Sequence, residues 1–239
     1  MSGLIEFAPP RQLKTLARST AEIMKRIILC LAFVTGCLPA LGQQPATVTD
    51  DDFQKVLVAV SSEDWDTAVS LSSRFLKQMK DEDKRLPRLR YIYLYAAAGK
   101  VTNGNMEFDD LAKLSKELVG KPVEVPYRPI ALQCRAAFNF ICPSGDKNDR
   151  IMVAASNKTA TSILAFEYTQ LKEPFDFEHH VDETASISGT IDSIVPNPNK
   201  SRAIVLRLFI SNGVLNLKDK RPKQVSHLTL PANGWTRSR

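Results

Sequence analysis

Between residues 50 and 120 the apolar residues recur every three or four positions, which is the spacing of helices with one buried face. The clearest stripe begins at Trp65, and a shorter one precedes it after three consecutive aspartates that suit a first helical turn. Two further stripes follow: one begins at Pro87 and stops at Gly99, and the other begins at Met106. The pattern predicts four helices, paired as two hairpins.

Beyond residue 130 the period shortens, as it does in strands. Short apolar runs predict strands at 138–142, 151–155 and 162–170. The alternation in the last of these runs indicates a strand that is packed mainly on one side, and we expect its tyrosine, Tyr168, to lie in the core. Each run is of ordinary strand length, so a small sheet is expected in this half of the chain.

The clearest strand pair is a hairpin between residues 184–194 and 203–210, closed by a loop rich in proline and asparagine. Gly189, in the middle of the first of these strands, indicates a bulge. An Asn-Gly dipeptide at Asn212 is typical of a tight turn, so we expect a third strand at 214–217.

A proline-rich segment separates the two patterns. Residues 121–129 contain three prolines in nine positions, which predicts an extended connector. The sequence therefore predicts an α+β protein, with a helical domain at 43–120 and a β-rich domain at 130–217. The β-rich domain is expected to be a small antiparallel barrel or sheet, and a basic tail, 218–239, follows it.

The helical half resembles tetratricopeptide-type repeats. The residues from Trp65 to Ala68 and the segment 89–100 carry the resemblance, which implies that the second helix of one unit meets the first helix of the next. The matching positions Ala68 and Leu111 are 43 residues apart, whereas the repeat length of the family is about 34. An extended turn at 101–105 absorbs the difference, and a plain four-helix packing unit is the alternative.

Tyr91, Tyr93 and Tyr95 all lie in the third predicted helix. Successive members of this set are about 200° apart around a helix, so they cannot share one face and at least one of them leaves the core. A tyrosine on the concave surface of a repeat suits the binding of a partner peptide, whereas packing at a domain boundary is the alternative. The three tyrosines are our candidate partner-binding residues.

The run from Ile187 to Gly213 resembles the opening strands of an OB-fold, over about 35 residues in all. The resemblance implies a barrel that binds an oligonucleotide or an oligosaccharide. The last 22 residues show no set of strands that would complete the fold. The missing strands would have to come from upstream, and a generic small antiparallel sheet is the alternative.

The N-terminal region has the pattern of a secretion signal. Met24 is followed by two basic residues, the apolar run 27–34 and a stretch of small residues, which is the order found in signal peptides. The apolar run is too short to span a bilayer as a helix, since that takes about 20 residues. We interpret 24–42 as the signal peptide and 1–23 as an extension from an upstream start codon.

Two processing sites compete in this leader. Small residues, including Gly42, fit cleavage by a signal peptidase before Gln43, which releases a soluble protein. The residues before Cys37 resemble the lipobox of bacterial lipoproteins, in which the cysteine is lipidated and tethers the mature chain to a membrane. Either route predicts export to the periplasm or cell envelope, as a free or a lipid-anchored protein.

Removal of the leader changes the charge of the chain. The full sequence of 239 residues has a net charge of +6, but the residues from 43 onward hold 27 Lys and Arg against 24 Asp and Glu, a net of +3. The positive excess is concentrated after residue 200, which leaves residues 43–199 acidic. An exported chain with an acidic body does not favour a nucleic-acid partner.

Two cysteines remain after the leader, Cys134 and Cys142. In an oxidising compartment this pair is a candidate disulfide, with two buried thiols as the alternative. The acids and histidines at 175–183 lack the spacing of a metal site, because adjacent histidines point to opposite sides of a strand. No nucleophile or phosphate-binding motif occurs, so the sequence predicts no catalytic residue, metal or cofactor.

These observations predict an exported, non-catalytic binding protein of the bacterial envelope. The expected partner is another envelope protein or a peptide, with a lipid tether to the membrane if Cys37 is modified. The alternative function is that of an OB-like module that binds an oligosaccharide or a nucleic acid. Nothing in the sequence names a small-molecule substrate.

Overall fold

The computed structural model describes residues 47–133 and 138–218. Four helices come first in this part of the chain, α1 (Asp50–Ser61), α2 (Trp65–Gln78), α3 (Leu86–Thr102) and α4 (Phe108–Leu118). The four helices that the apolar spacing predicts are therefore present. The processing sites Cys37, Gly42 and Gln43, the cysteine Cys134 and the tail beyond Lys218 lie outside the described residues and stay predictions.

Side-chain caps determine where the first two helices begin. The Thr49 hydroxyl accepts a hydrogen bond from the Asp52 amide at 3.2 Å, and the Asp52 carboxylate accepts one from the Thr49 amide at 3.3 Å. This reciprocal pair is a capping box. The Asp64 carboxylate accepts a hydrogen bond from the Thr67 amide at 3.2 Å and caps α2. Each cap satisfies amide groups that a helix N-terminus leaves without an internal partner.

Helix α3 is buried around most of its circumference. The sequence predicts that Gly99 ends this helix, and that prediction is wrong because the glycine serves packing. A Cβ atom at Gly99 would come within 2.4 Å of the Trp65 ring at the start of α2. The missing side chain lets α2 and α3 approach closely, and α3 continues to Thr102.

A curled sheet of six strands follows the helices. The strands are β1 (Pro122–Pro129), β2 (Cys142–Pro143), β3 (Arg150–Ser156), β4 (Ile163–Leu171), β5 (Thr184–Pro196) and β6 (Ile204–Leu217), in the spatial order β1-β5-β6-β4-β3-β2. The β5–β6 hairpin places β6 next to β4, and these two strands run parallel while the other neighbours are antiparallel. The protein is therefore α+β, as the sequence predicts, with a mixed half-barrel in place of a purely antiparallel sheet.

The proline-rich segment 121–129 forms the edge strand β1, which pairs with β5, and is not a linker outside the sheet. Prolines lack an amide donor, but an edge strand leaves one side unpaired and tolerates them. Just beyond β1, Ile130 forms a parallel bridge with Ile141, which precedes the opposite edge strand β2. Of the strand predicted at 138–142, only Cys142 belongs to β2.

Strand β6 runs through the Asn212-Gly213 dipeptide, for which the sequence predicts a tight turn and a third strand. Asn212 has a φ of +53°, a value that asparagine tolerates better than most residues. The register of β6 shifts against both β4 and β5 at this level. The dipeptide therefore adds a residue to one long strand, and this bulge lies opposite Gly189 of β5, where the sequence predicts an irregularity.

Strand β4 carries buried polar residues on one face and aromatic rings on the other. Glu167 and Thr169 are buried on the face that the helices cover, whereas Phe166 and Tyr168 are half-buried on the other face. The expectation that Tyr168 lies in the core is wrong. Helix α3 fills the space over the inner face with its own large side chain, Tyr91, so β4 presents smaller residues there.

The helices and the sheet share one hydrophobic core. Buried side chains from both layers, such as Phe75, Leu94, Val153 and Leu208, belong to a single contiguous cluster, and the described residues fall in one compact unit. The helical and β-rich regions that the sequence treats as separate domains therefore contribute to the same core. No helix among residues 47–133 and 138–218 is both long and apolar enough to cross a membrane.

Candidate functional site

An open cleft of about 710 Å³ lies between α1, α3 and the edge strand β1. Its lining is largely apolar and aromatic and includes Leu57, Val60, Trp65, Ile92, Tyr95 and Tyr127. Arg88, Arg128 and Lys158 add cationic groups to the lining, and Glu63 adds an anionic one. We call this surface the aromatic cleft. Concave apolar surfaces with a few polar groups are typical of binding sites, so it is the first candidate.

The structure separates the three candidate tyrosines of α3. Tyr91 and Tyr95 lie one helical turn apart and line the aromatic cleft, where their rings stack with centroids 5.8 Å apart. Tyr93 lies on the opposite side of the helix, in a groove between α2 and α3 that also contains Arg74 and Lys100. The three tyrosines therefore do not share one face, and only Tyr91 and Tyr95 belong to the cleft.

The aromatic rings of the cleft differ in exposure. Trp65 is buried and packs edge-to-face against Tyr95, with ring centroids 5.8 Å apart. Tyr127 of β1 is 46% exposed, and the Lys218 ammonium lies 5.9 Å from its ring centroid. An incoming ligand would thus meet the Tyr127 ring without displacing it from the core. Sequence reasoning did not single out Tyr127, because its segment was interpreted as a connector.

A buried polar cluster forms the floor of the aromatic cleft. The Arg128 guanidinium donates to the Tyr91 hydroxyl at 2.5 Å, to Glu167 Oε1 at 3.2 Å and to Asn139 Oδ1 at 2.7 Å. The Tyr91 hydroxyl in turn donates to Glu167 Oε1 at 2.6 Å. Glu167 is completely buried. The cluster therefore joins α3, β1, β4 and the segment before β2 through one ion pair and its hydrogen bonds.

Burial is the main influence on ionisation in this cluster. It raises the pKa of the Glu167 carboxyl, although the Arg128 charge and the Tyr91 hydrogen bond act in the opposite direction. Burial also raises the pKa of Tyr91 well above its ordinary value and raises the pKa of Tyr95 to about 12. For Arg128, burial lowers the pKa, but the charge of Glu167 and the nearby tyrosines outweigh it and the net shift is upward.

The geometry of this cluster suits a structural role. A general acid or base must come within hydrogen-bond reach of a substrate, but the Glu167 carboxylate is enclosed by protein. Its second oxygen, Oε2, and the Nε of Arg128 are both shielded from solvent and have no hydrogen-bond partner among the described residues. The cleft therefore presents aromatic rings to a ligand, while its polar floor holds strands and helix together.

A second group of aromatic rings lies on the outer face of the sheet, opposite the helices. The Tyr168 and Phe209 rings stack with centroids 5.2 Å apart, and Phe166 lies 6.5 Å from Tyr168. All three rings are half-buried, and we call them the ring platform. Beside the stacked pair is a depression of about 440 Å³ whose lining includes the polar side chains Arg150, Gln170, Asp192 and Ser211.

The remaining candidate chemistry concerns cysteines and histidines. Cys142 is disulfide-bonded, but Cys134, its predicted partner, lies outside the described residues, so the pairing stays a prediction. The two histidines of the segment 175–183 each lie within hydrogen-bond distance of a different carboxylate. The described parts of the chain hold no group of three or more His, Cys, Asp or Glu side chains that could bind a metal ion.

Sequence reasoning missed the polar cluster and found only part of the ring platform, because the alternation in 203–210 places Phe209 on the outer face whereas Tyr168 is expected in the core. Arg128 lies in the segment interpreted as a connector, so its burial was not expected. In β4 the signal was the alternation itself, which places Phe166 and Tyr168 on one face and Glu167 and Thr169 on the other. Alternation shows that the faces differ, but it does not say which face the helices cover.

The aromatic cleft and the ring platform each combine accessible aromatic rings with neighbouring polar side chains. Both are built on regular strands and helices, so their rings are held by the packing of the core. No protein-family model, curated protein or solved structure matches this chain. The function of both surfaces is therefore inferred from their side chains alone.

Proposed function

We propose that the chain is an exported, non-catalytic binding protein of the bacterial envelope that engages a protein or peptide partner in the aromatic cleft. The observation that carries the proposal is the cleft of about 710 Å³, with its apolar lining and the exposed Tyr127 ring. Covering apolar surface favours association by about 25 cal/mol per Å². Tyrosine suits such interfaces because its ring is apolar while its hydroxyl still bonds to polar groups.

Export is supported by the order of residues after Met24, with a basic start, a short apolar run and a small-residue exit. The disulfide at Cys142 is consistent with an oxidising compartment. Release before Gln43 gives a free protein, and lipidation of Cys37 gives a tethered one. Intact-mass spectrometry of the envelope fraction distinguishes the two, because only the tethered form carries an acyl mass.

The arrangement of the helices supports a tetratricopeptide-like array within this proposal. Helix α2 packs against both α1 and α3, and α3 packs against α4, as successive helices do in stacked hairpins. A partner peptide would lie against α1 and α3 on one side and against β1 on the other. The plain four-helix packing unit remains the alternative, and it leaves the cleft unchanged.

Site-specific photo-crosslinking tests the aromatic cleft as the partner site. Benzoylphenylalanine replaces Tyr127 in one variant and Tyr93, which faces the groove on the other side of α3, in the matched control. After irradiation of cells that express the variants, we expect a crosslinked partner from position 127 and none from position 93. Equal crosslinking at the two positions, or at neither, would argue against the cleft.

The alternative proposal is ligand binding by the sheet, to an oligosaccharide or a nucleic acid, as the OB-like resemblance implies. The β5–β6 hairpin supports the resemblance in part, whereas the third strand expected after Asn212 belongs to β6. The specific observation that favours this function is the ring platform. Aromatic side chains on a sheet surface stack with the flat rings of bases and with the C–H faces of sugar rings.

A further inference from the structure

We infer that the ring platform binds a neutral oligosaccharide, with the stacked pair Tyr168–Phe209 as the surface on which a sugar ring lies. This inference rests on the alternative function, ligand binding by the sheet, and is independent of the aromatic cleft. Its evidence is the geometry of the rings, the polar side chains around them and the charge of the depression beside them.

Two aromatic rings are already positioned for stacking. Tyr168 and Phe209 pair directly across β4 and β6, and their ring planes are inclined by only 16°. Both strands lie in the interior of the sheet, so the rings sit on a rigid element and little conformational entropy is lost when a ligand binds. Each ring covers part of one face of the other, and the outer face of the pair is an apolar surface that matches the C–H face of a pyranose ring.

Polar side chains of opposite character flank the two rings. On the β3–β4 side, Arg150 Nε donates to Gln170 Oε1 at 2.9 Å, and this bond uses one of the five N–H donors of a guanidinium. On the β5–β6 side, Asp192 supplies a carboxylate acceptor and Ser211 a hydroxyl, and both line the depression beside the rings. Sugar hydroxyls both donate and accept hydrogen bonds, so they match a rim that carries groups of both kinds.

Charge decides between a sugar and a nucleic acid. The lining of the depression carries one cationic side chain, Arg150, and one anionic side chain, Asp192. Nucleic-acid affinity comes largely from neutralising phosphates with several cationic side chains. Within the depression the Asp192 carboxylate balances the single Arg150 guanidinium, so the lining as a whole is uncharged. A neutral saccharide meets no repulsion from this carboxylate and uses it as an acceptor.

Isothermal titration calorimetry on the purified chain tests this inference. The probes are the neutral hexasaccharides cellohexaose, chitohexaose and maltohexaose, with single-stranded oligothymidylate as the competing class of ligand. We expect at least one hexasaccharide to bind, and Tyr168→Ala or Phe209→Ala to weaken that binding roughly tenfold, equivalent to about 1.4 kcal/mol. Asp192→Ala, at an exposed position outside the ring stack, should also weaken it roughly tenfold.

Tyr127→Ala, in the aromatic cleft, is the matched control and should leave saccharide affinity unchanged. Circular dichroism establishes that each variant is folded, and Asp192→Ala carries the test if either ring variant is not. Failure of all three hexasaccharides to bind overturns the inference, as does binding that Tyr168→Ala and Asp192→Ala leave intact. If oligothymidylate binds and its binding depends on Tyr168, the saccharide inference is overturned but ligand binding by the sheet is retained. If no probe binds, both the saccharide inference and ligand binding by the sheet are overturned.

Discussion

Glu167 and Tyr168 are neighbours in strand β4, but they lie in opposite environments. Glu167 is completely buried beside Tyr91 and Arg128, whereas Tyr168 is half-buried on the outer face and stacks on Phe209. A fully buried carboxylate is unusual, and here the helix-covered face holds it while the outer face carries aromatic rings. The difference indicates that the polar cluster holds the layers together and that the accessible rings are available for binding.

The largest effect on stability is expected from Glu167→Ala. The substitution leaves the Arg128 charge buried without its carboxylate, and breaking a buried ion pair in this way costs about 3–5 kcal/mol. Urea unfolding measures the loss, with Tyr168→Ala on the adjacent outer position as the control at about 1 kcal/mol. A loss below about 1 kcal/mol for Glu167→Ala would be incompatible with a structural role for the cluster.

Tyr91→Phe is expected to have the next largest effect. It removes the hydroxyl that accepts from Arg128 and donates to Glu167, while the ring stays in place. Leaving buried polar groups without a partner costs about 1–3 kcal/mol. Tyr93→Phe, on the opposite side of α3, should change the free energy of unfolding by less than about 0.5 kcal/mol. Equal losses in the two variants would remove the distinction between the faces of α3.

The buried hydroxyl of Tyr95 on α3 should also make stability sensitive to alkaline pH. Burial raises the pKa of Tyr95 from its ordinary value of 10.0 to about 12, so the folded protein holds this proton more tightly than the unfolded chain does. The resulting stabilisation is fully present below pH 10 and is lost as the pH rises toward 12. We expect Tyr95→Phe to reduce this loss by an amount on the order of 1 kcal/mol. Unfolding free energies that fall equally in both proteins would contradict the shift.

The smallest effect on stability is expected at the exposed ring of the aromatic cleft. Tyr127→Ala removes a side chain that is 46% exposed, so the free energy of unfolding should change by about 0.5 kcal/mol or less. The proposed function predicts that the same substitution abolishes capture of the partner. Co-purification from the cell envelope, compared between Tyr127→Ala and Tyr93→Ala, measures this. Full retention of the partner by Tyr127→Ala would show that the aromatic cleft does not bind the partner.

Local features of the chain could be predicted from the sequence. The helices follow from the apolar spacing and from caps such as Thr49 and Asp64, because helix formation depends on residues within a few positions of each other. At Gly99 the sequence predicts a helix end, but a glycine is needed there because the Trp65 ring of another helix packs against its backbone. A glycine that stops a helix and a glycine that admits a neighbour look alike in one sequence.

Features that depend on distant partners could not be predicted in this way. The prolines of 121–129 fit both a connector and an edge strand, and only pairing with β5 separates the two. Arg128 and Glu167 are 39 residues apart in the chain, so no local pattern indicates that they meet. The exposure of Tyr168 likewise depends on which face of β4 receives α3, and its place in the ring platform follows from that choice.

The central claim is that the helix-covered face of β4 stabilises the fold while its outer face binds a ligand. The most direct test is to measure unfolding free energy and hexasaccharide affinity on the same pair of variants, Tyr91→Phe and Tyr168→Ala. We expect each variant to lose mainly one of the two properties. Tyr91→Phe should lose about 1–3 kcal/mol of stability and keep its affinity, whereas Tyr168→Ala should lose about 1 kcal/mol and bind roughly tenfold more weakly. A Tyr168→Ala protein that keeps full affinity, or a Tyr91→Phe protein that loses affinity without losing stability, would contradict it.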